Sequence, residues 1–306
     1  MRCFSARRLF VAPAFAVVLA VLCATFSPAV VRAQFLMMPD STNNRLVLFD
    51  PNNGSVVNPN FFGLAAGTPV HAMQVGSEIW VSEQIGDRIS RWDFNGNALA
   101  PITGQMDNVR GMELANNTVY LCNDGTSNGA PGSALRMFDT AGNSLGSFPT
   151  PASSPFGILD HQGGLLVSSD VANDDVHRYS YAGTSLGTFH NTTSLNFAEQ
   201  MDHATNGDVL VAGFSSNNIA RLDPNTGALI SSTPASGARG VWQLGNGNIL
   251  WTNGSGAHVF DVTTQQSTQV YAGGGRFIDA LVIPEPASGA LVLGAALVLA
   301  NRRQRA

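Results

Sequence analysis

The sequence contains no lysine, and charged residues make up only 12% of its 306 residues. All 16 basic residues are therefore arginines, and seven of them lie before position 33 or after position 301. The stretch 34–281 holds nine arginines against 20 carboxylates, a net charge of −11. So few positive charges exclude a basic surface that follows a phosphate backbone. We expect no nucleic acid partner.

Cysteine is almost as scarce as lysine. The three cysteines are Cys3, Cys23 and Cys122, and the first two belong to an N-terminal segment that we expect to be removed. Cys122 then has no partner for a disulfide within the chain. The low charge, together with 32 glycines and 15 prolines, disfavours long solvated helices and coiled coils. The composition therefore favours an all-β domain that is stabilised by packing alone.

Residues 1–33 are typical of a signal peptide. Three arginines among the first eight residues precede an apolar stretch over 9–26, and Val31 and Ala33 supply small side chains at the −3 and −1 positions of a cleavage site. A retained N-terminal membrane helix is the alternative, which Pro13 and the cleavage pattern disfavour. We predict cleavage after Ala33 and export of the chain.

Residues 282–306 form a second segment with three parts. Pro284 and Pro286 keep Glu285 in an extended, accessible tripeptide, because a proline does not continue a helix. An apolar run over 287–300 follows, and its 14 residues would span about 21 Å as a helix, short of the ~30 Å hydrocarbon core of a bilayer. The three arginines beyond it would stay on the cytoplasmic side of a membrane.

This arrangement resembles the PEP-CTERM sorting signal of bacterial surface proteins. The resemblance implies that an exosortase-type enzyme recognises Pro284, Glu285 and Pro286 and that the short helix contacts the membrane transiently. It also implies a location at the cell surface or in the extracellular matrix, commonly with exopolysaccharide or a cell-surface protein as partner. An ordinary C-terminal membrane anchor after a chance pair of prolines is the alternative. Both interpretations place residues 34–281 outside the cytoplasm.

The stretch 34–281 contains six copies of a five-residue segment that usually ends in aspartate. Their last residues are 43, 46, 41, 43 and 38 positions apart, close to the spacing of four-stranded propeller blades. Their alternation has a period of two, which disfavours helical repeats of similar length. The copies lie at 46–50, 89–93, 135–139, 176–180, 219–223 and 257–261.

Further strands surround each copy in a constant order. A β-branched or aromatic run precedes each later copy, and a strand that usually carries a small residue precedes that run. Turns with glycine or asparagine follow five copies, whereas 262–265 lacks glycine and predicts a longer or looser loop. The stretch opens at Phe35 without the first strand and ends with one at 276–278. We therefore predict a six-bladed β-propeller over 34–281, in which a C-terminal strand completes the first blade.

These features resemble NHL-type six-bladed propellers, most closely at 155–158 and 238–241. The resemblance supports the fold and does not assign a function.

The first residues of the six small-residue strands are the candidate binding residues. A propeller of the predicted register brings them to one mouth of its central channel. Three arginines there would bind a carboxylate, a sulfate or a uronate. The alternative is an internal network in which Glu199 pairs with an arginine. The six residues are His71, Arg110, Phe156, Glu199, Arg239 and Arg276.

A second set of oxygen-bearing side chains follows the aromatic strands. Such ligands suit Ca²⁺ or Mg²⁺, and six-bladed lactonases, which this chain resembles in overall plan, place a metal at the channel. The alternative is that these residues form strand-ending turns. The histidines lack the spacing of a zinc site. The set comprises Asp40, Glu83, Asn123, Asp124, Asp170 and Asn253.

The sequence therefore predicts an exported propeller at the cell surface or in the matrix. We expect a non-catalytic binding or structural module that needs no cofactor and holds a glycan, a protein or a small anion. A metal-assisted hydrolase or lyase that acts on lactone-like or polysaccharide substrates with Ca²⁺ or Mg²⁺ is the alternative.

Overall fold

The computed structural model describes residues 32–151, 154–170 and 175–284. These residues form 24 strands in six sheets of four strands each. The turn Ser127–Gly129, a 3-10 helix, is the only helical segment in the ranges described. Among these residues, no helix is long and apolar enough to cross a membrane. The all-β prediction is confirmed.

Each sheet is one blade, and its strands are given from the innermost to the outermost. Blade 1 consists of β24 (Asp279–Pro284), β1 (Arg32–Asp40), β2 (Arg45–Phe49) and β3 (Val56–Gly63). Blade 2 consists of β4 (Pro69–Val75), β5 (Glu78–Glu83), β6 (Arg88–Asp93) and β7 (Ala98–Thr103). Blade 3 consists of β8 (Val109–Ala115), β9 (Thr118–Asn123), β10 (Ala134–Asp139) and β11 (Ser144–Pro149).

The other three blades repeat this order. Blade 4 consists of β12 (Pro155–His161), β13 (Gly164–Ser169), β14 (Val176–Tyr179) and β15 (Ser185–His190). Blade 5 consists of β16 (Ala198–His203), β17 (Val209–Gly213), β18 (Asn218–Leu222) and β19 (Leu229–Pro234). Blade 6 consists of β20 (Gly240–Gln243), β21 (Ile249–Asn253), β22 (Gly256–Asp261) and β23 (Gln266–Ala272). The chain is a six-bladed β-propeller, as the repeat spacing predicts.

The outermost strand is the most exposed strand of each blade. In blade 2, six of the seven residues of β4 are buried, whereas five of the six residues of β7 are exposed. The inner strands face the axis and their neighbours on both sides, while each outer strand has one partner only. This gradient explains why the small residues lie on the inner strands, where the backbones approach most closely.

The hairpins between the third and fourth strands use two kinds of turn. Blades 1, 5 and 6 share the longer kind, in which an N–H donates to the carbonyl oxygen four positions before it. Gly54 and Gly227 adopt positive φ values of 75° and 70°. At the sixth hairpin, Gln265 takes the same conformation with φ of 58°, and its N–H donates to the carbonyl oxygen of Asp261 at 2.9 Å. The turn at 262–265 is therefore longer than those of blades 2 to 4, as predicted, but it has the same hydrogen bond as those of blades 1 and 5 and is not looser. The turn forms without glycine, at a cost of about 1–2 kcal/mol for the left-handed conformation.

The C-terminal strand closes the ring, as predicted. β24 lies beside β1 and is the innermost strand of blade 1. It begins at Asp279, just after the predicted segment 276–278, and the predicted boundary between 281 and 282 falls inside it. Two hydrogen bonds join it to blade 2, because the side-chain amide of Gln74 both donates to and accepts from the backbone of Val282.

The core lies between neighbouring blades. One cluster of buried side chains joins blades 3 and 4 around Tyr120 and Leu165. Another joins blades 6 and 1, where Leu250 and Tyr271 pack with Phe49. No blade buries both of its faces alone, so the stack of blades supplies the hydrophobic core of the propeller.

Candidate functional site

The inner strands bring five of the six candidate binding residues to one mouth of the axis, which we call the arginine mouth. Arg110, Phe156 and Glu199 lie near the starts of β8, β12 and β16, and Arg239 and Arg276 lie just before β20 and β24. The guanidinium of Arg110 lies 4.5 Å from the centre of the Phe156 ring. Glu199 interacts electrostatically with all three arginines.

Arg110 is neutralised by two carboxylates. Its guanidinium lies 3.0 Å from Asp124 Oδ2 and 3.4 Å from Asp170 Oδ2. It also donates to Ser154 Oγ at 2.8 Å, and that hydroxyl donates to Asp124. Because the Arg110 side chain is buried, these contacts fix it in place. Arg110 therefore belongs to an internal network, the alternative that the sequence left open.

Glu199 and Arg239 form a second pair. The two side chains approach to 3.4 Å, and the Glu199 side chain is 1% exposed. Burial raises the pKa of Glu199 to about 7, although the neighbouring arginines act in the opposite direction. The second carboxylate oxygen of Glu199 has no hydrogen bond within the described residues. This pair is internal as well.

Arg276 differs from the other two arginines. Its Nε donates to Ser41 Oγ at 3.0 Å, and no carboxylate of the described residues forms an ion pair with it. Burial lowers the pKa of Arg276 to about 10, and the positive charge of Arg239 lowers it further while Glu199 raises it. Arg276 is therefore the arginine of this mouth whose charge is not paired with a carboxylate of the described residues.

An open depression of about 600 Å³ adjoins Arg276. Its other walls come from the loops at the mouth ends of blades 2 and 3. They supply amide, carboxylate and hydroxyl groups beside one exposed aliphatic side chain. These residues are Thr68, Gln84, Ile85, Asp87, Asp107 and Asn108.

The residues considered for a metal site serve structural roles. Asp40 accepts hydrogen bonds from the backbone of its own turn, Glu83 pairs with Arg88 at 2.7 Å, and Asn123 donates to two loop carbonyls. Asn253 likewise donates to the carbonyl oxygen of Ser236. In the part of the chain described, no three His, Cys, Asp or Glu side chains are placed to share a metal ion.

Cys122 is fully buried on β9. Burial raises the pKa of its thiol, so the reactive thiolate is disfavoured. The interpretation of this residue as a small hydrophobic side chain agrees with its position.

The rings of Phe156 and Phe277 close the axis beyond the arginines, and we call this pair the aromatic barrier. The ring of Phe277, which is 1% exposed, lies 6.1 Å from the Phe156 ring and 5.5 Å from the His71 ring. A Cβ placed on Gly111 would lie 3.0 Å from the Phe277 ring and 2.6 Å from the carbonyl oxygen of Phe156. The small residue of β8 therefore makes room for the Phe277 ring.

The structure separates His71 from the arginine mouth. Its ring lies on the far side of the aromatic barrier and lines a cavity of about 250 Å³. The same cavity is lined by Glu113, Asp160, Asp202 and Asp279. We call it the acidic cavity.

The sequence analysis missed these four carboxylates, although a signal exists. Glu113, Asp202 and Asp279 each stand three positions after the first residue of a predicted small-residue strand, where Arg110, Glu199 and Arg276 stand. Strict alternation would place the first and fourth positions on opposite faces. A bulge at the start of several inner strands breaks that alternation.

Comparison with known proteins identifies solved structures of similar fold. Neither a protein-family model nor a curated protein matches this sequence. A protein of unknown function from Bacteroides caccae is 15% identical with a TM-score of 0.61, over 81% of this chain and 98% of that chain. A chain of the nidogen/laminin complex is 12% identical with a TM-score of 0.65, over 81% and 98%. Virginiamycin B lyase from Staphylococcus aureus is 12% identical with a TM-score of 0.54, over 80% and 79%.

The shared property is the fold. Sequence identity this low shows a common β-propeller architecture and assigns no activity to this chain. The resemblance to NHL-type propellers stays a prediction.

Proposed function

We propose that this chain is an exported, non-catalytic propeller that binds an acidic polysaccharide at the arginine mouth. The observation that carries the proposal is the position of Arg276, which has no internal carboxylate partner among the described residues and lines an open depression. Arg110 and Arg239 already have such partners. A ligand carboxylate therefore meets one available guanidinium, which suits a uronate residue of a polysaccharide.

The remaining walls of the depression suit the hydroxyl groups of a sugar. Asp87 and Asp107 supply acceptors, and Gln84 and Asn108 supply amides with both donors and acceptors. The open shape suits a chain that passes across the mouth. The acidic chain as a whole repels a polyanion, so binding depends on this local contact and on the salt concentration.

The export part of the proposal rests on the two ends of the sequence. The predicted signal peptide, except for its last two residues, lies outside the described residues, and so do Glu285, Pro286 and the predicted helix at 287–300. β1 begins at Arg32 and β24 ends at Pro284. The first residue of the proposed exosortase tripeptide, Pro284, is thus the last residue of the strand that closes the ring.

The test is retention of the full chain on immobilised alginate, a polyuronate, at physiological salt. We expect Arg276→Gln to lower the affinity about tenfold or more, because a charge-assisted hydrogen bond is lost. Arg221→Gln is the matched control, since Arg221 pairs with Asp208 at 3.1 Å in blade 5. Neutral dextran should not retain the wild-type chain. Equal retention of Arg276→Gln and wild type would reject the arginine mouth as the binding site.

A hydrolase or lyase that uses Ca²⁺ or Mg²⁺ is the second candidate. The observation that favours it is the convergence of Asp124 and Asp170 at the arginine mouth. Both carboxylates contact Arg110, so a cation there must compete with a guanidinium. We therefore rank the binding module first.

A further inference from the structure

The acidic cavity lies at the other end of the axis from the arginine mouth. Its carboxylates come from four different inner strands: Glu113 from β8, Asp160 from β12, Asp202 from β16 and Asp279 from β24. All four residues are partly buried, so water reaches the cavity. No arginine lines it, and the chain has no lysine. A cluster of negative charge thus lacks an internal counter-ion among the residues that line it.

His71 directs a hydrogen-bond donor into this cavity. The residue is 6% exposed, and its Nδ1 accepts the backbone N–H of Met112 at 3.0 Å. The ring proton therefore lies on Nε2. Nε2 has no hydrogen bond within the described residues, and Oδ2 of Asp279 lies 3.5 Å from it. A buried donor of this kind is costly unless a ligand or water accepts from it.

The electrostatics of the cavity favour a positively charged occupant. Burial raises the pKa of Glu113 well above its usual range, and the carboxylates of Asp279, Asp160 and Asp202 raise it further. Burial also raises the pKa of Asp202 to about 8, and Asp279 contributes in the same direction. A bound cation would offset both the repulsion and the loss of hydration.

Neighbouring groups donate hydrogen bonds to two of the aspartates that line the cavity. Tyr181 donates to Asp160 Oδ1 at 2.6 Å, and His203 Nε2 donates to the carbonyl oxygen of Asp160 at 3.1 Å. Asp279 Oδ1 accepts the N–H of Ala280 at 2.6 Å. These contacts supply hydrogen bonds to the residues that line the cavity.

The walls favour an organic cation over a metal ion. The described residues contain no group of three side chains placed to share a metal. Trp242 and Phe277 instead supply aromatic surfaces, which attract an ammonium group and pack against a carbon skeleton. The volume of about 250 Å³ admits a molecule of monosaccharide size.

We propose that the acidic cavity binds a small hydroxylated amine, such as an amino sugar. Its ammonium group would be attracted by the charges of Glu113, Asp202 and Asp279, and one of its hydroxyl oxygens would accept from His71 Nε2. The site lies behind the aromatic barrier and does not depend on the polysaccharide proposal. Binding releases protons, because the ammonium group favours the ionised form of carboxylates that are otherwise partly protonated near neutral pH.

The experiment is calorimetric titration of the full chain with D-glucosamine. We expect saturable binding that strengthens as the pH rises from 5.5 to 7, where the sugar still carries its ammonium charge. Proton release should appear as a dependence of the measured heat on the ionisation enthalpy of the buffer. N-acetylglucosamine has the same ring without the charge, and we expect it to bind at least tenfold more weakly. Absence of glucosamine binding, or equal binding of the two sugars, would overturn the proposal.

Two isosteric variants locate the site. Glu113→Gln and Asp202→Asn each remove one carboxylate charge, and we expect each to weaken glucosamine binding about tenfold or more. Both also remove repulsion, so both chains should fold. Asp139→Asn is the control, because it makes the same charge change at an exposed hairpin. Unchanged glucosamine affinity in both cavity variants, or tight Ca²⁺ binding in place of glucosamine, would contradict the assignment.

Discussion

The hydroxyl of Tyr271 donates a hydrogen bond of 2.6 Å to Asp40 Oδ2. The two residues are 231 positions apart, and this contact joins blade 6 to blade 1 where the ring closes. The other oxygen of Asp40 accepts the backbone N–H of Gly274 at 2.9 Å across the same seam. One buried carboxylate therefore joins the last blade to the first.

We expect Asp40→Asn to destabilise the propeller. Oδ2 accepts hydrogen bonds from the hydroxyl of Tyr271 and from the amide of Asn43. An amide nitrogen in its place would face these two donors and could accept from neither. A buried mismatch of this kind costs about 1–3 kcal/mol, which lowers the Tm by about 2–12 °C in a domain of this size. Asp139→Asn is the control, because Asp139 accepts the same kind of bond from Asn143 in an exposed turn. A melting temperature equal to that of the control would contradict this role.

The same carboxylate predicts a loss of stability in acid. Burial raises the pKa of Asp40, but hydrogen bonds from Asn43, Tyr271 and Gly274 outweigh it and hold the pKa at about 2. Because the folded pKa lies below the unfolded value, the stabilisation is complete above about pH 4 and is lost as the pH falls toward 2. Acid unfolding monitored by circular dichroism should show a smaller loss between pH 4 and 2 in Asp40→Asn than in wild type. Parallel acid curves would disprove it.

Removal of the closing strand should open the ring. A chain that ends at Ile278 lacks β24, which leaves blade 1 with three strands and removes the fully buried Leu281. The edges of β1 and of blade 2 are then exposed, and such edges favour aggregation. We expect a Tm at least roughly 10 °C lower, or aggregation on expression. A chain that ends at Pro284 is the control and should melt like the full chain; equal stability of the two truncations would rule out closure by β24.

The sequence predicts the blades and the closure for a local reason. Each blade consists of consecutive strands, and the missing strand before Phe35 has its counterpart at the other end of the domain. Period-two alternation and turn residues are read from neighbours in the chain. Even where the turn signal fails, at Gln265, the packed sheet imposes the turn.

The axis is harder to predict because its side chains come from all six blades. The register also shifts the alignment of blade 2 by one residue. Val70 occupies the position that Arg110 occupies in blade 3, and His71 corresponds to Gly111, so His71 lies on the other side of the aromatic barrier. The partner of each arginine is a second difficulty. Arg110 pairs with two carboxylates, whereas Arg276 donates to the hydroxyl of Ser41. Sequence position alone does not distinguish these cases.

Phe277 should contribute strongly to stability. Its ring packs with Val70 and Phe156 at the centre of the propeller and leaves 1% of the residue exposed. Phe277→Ala leaves a cavity on the axis and costs about 3–5 kcal/mol. Thermal melting should show a large decrease for Phe277→Ala, a smaller one for Phe277→Leu and none for Ile85→Ala, since Ile85 is 76% exposed. A small effect of Phe277→Ala would contradict the prediction, because it would mean that the neighbouring side chains fill the cavity on the axis.

Metal dependence separates the two candidate functions. If the chain is a binding module, neither Ca²⁺ nor a chelator should change its Tm by more than about 1 °C, because only a ligand that binds the folded state raises it. A calcium-dependent increase that disappears in Asp124→Asn would instead favour the hydrolase or lyase. Differential scanning fluorimetry of the full chain, wild type and Asp124→Asn, measures the Tm with Ca²⁺ and with a chelator.

The free chain should become less stable as the pH rises toward 8. Burial raises the pKa of Asp202 to about 8, and it is further raised by Asp279, so the folded state holds a proton that the unfolded state has lost above pH 4. Stability therefore falls between pH 4 and 8, the opposite sign to the effect of Asp40. Asp202→Asn removes this contribution, and its melting temperature should decline less over that range. Burial also raises the pKa of Glu199 to about 7, and this residue lowers the stability over the same pH range. The decline of the melting temperature with pH should therefore become smaller in Asp202→Asn but not disappear. An identical pH dependence in variant and wild type would show that Asp202 is ionised in the folded chain throughout.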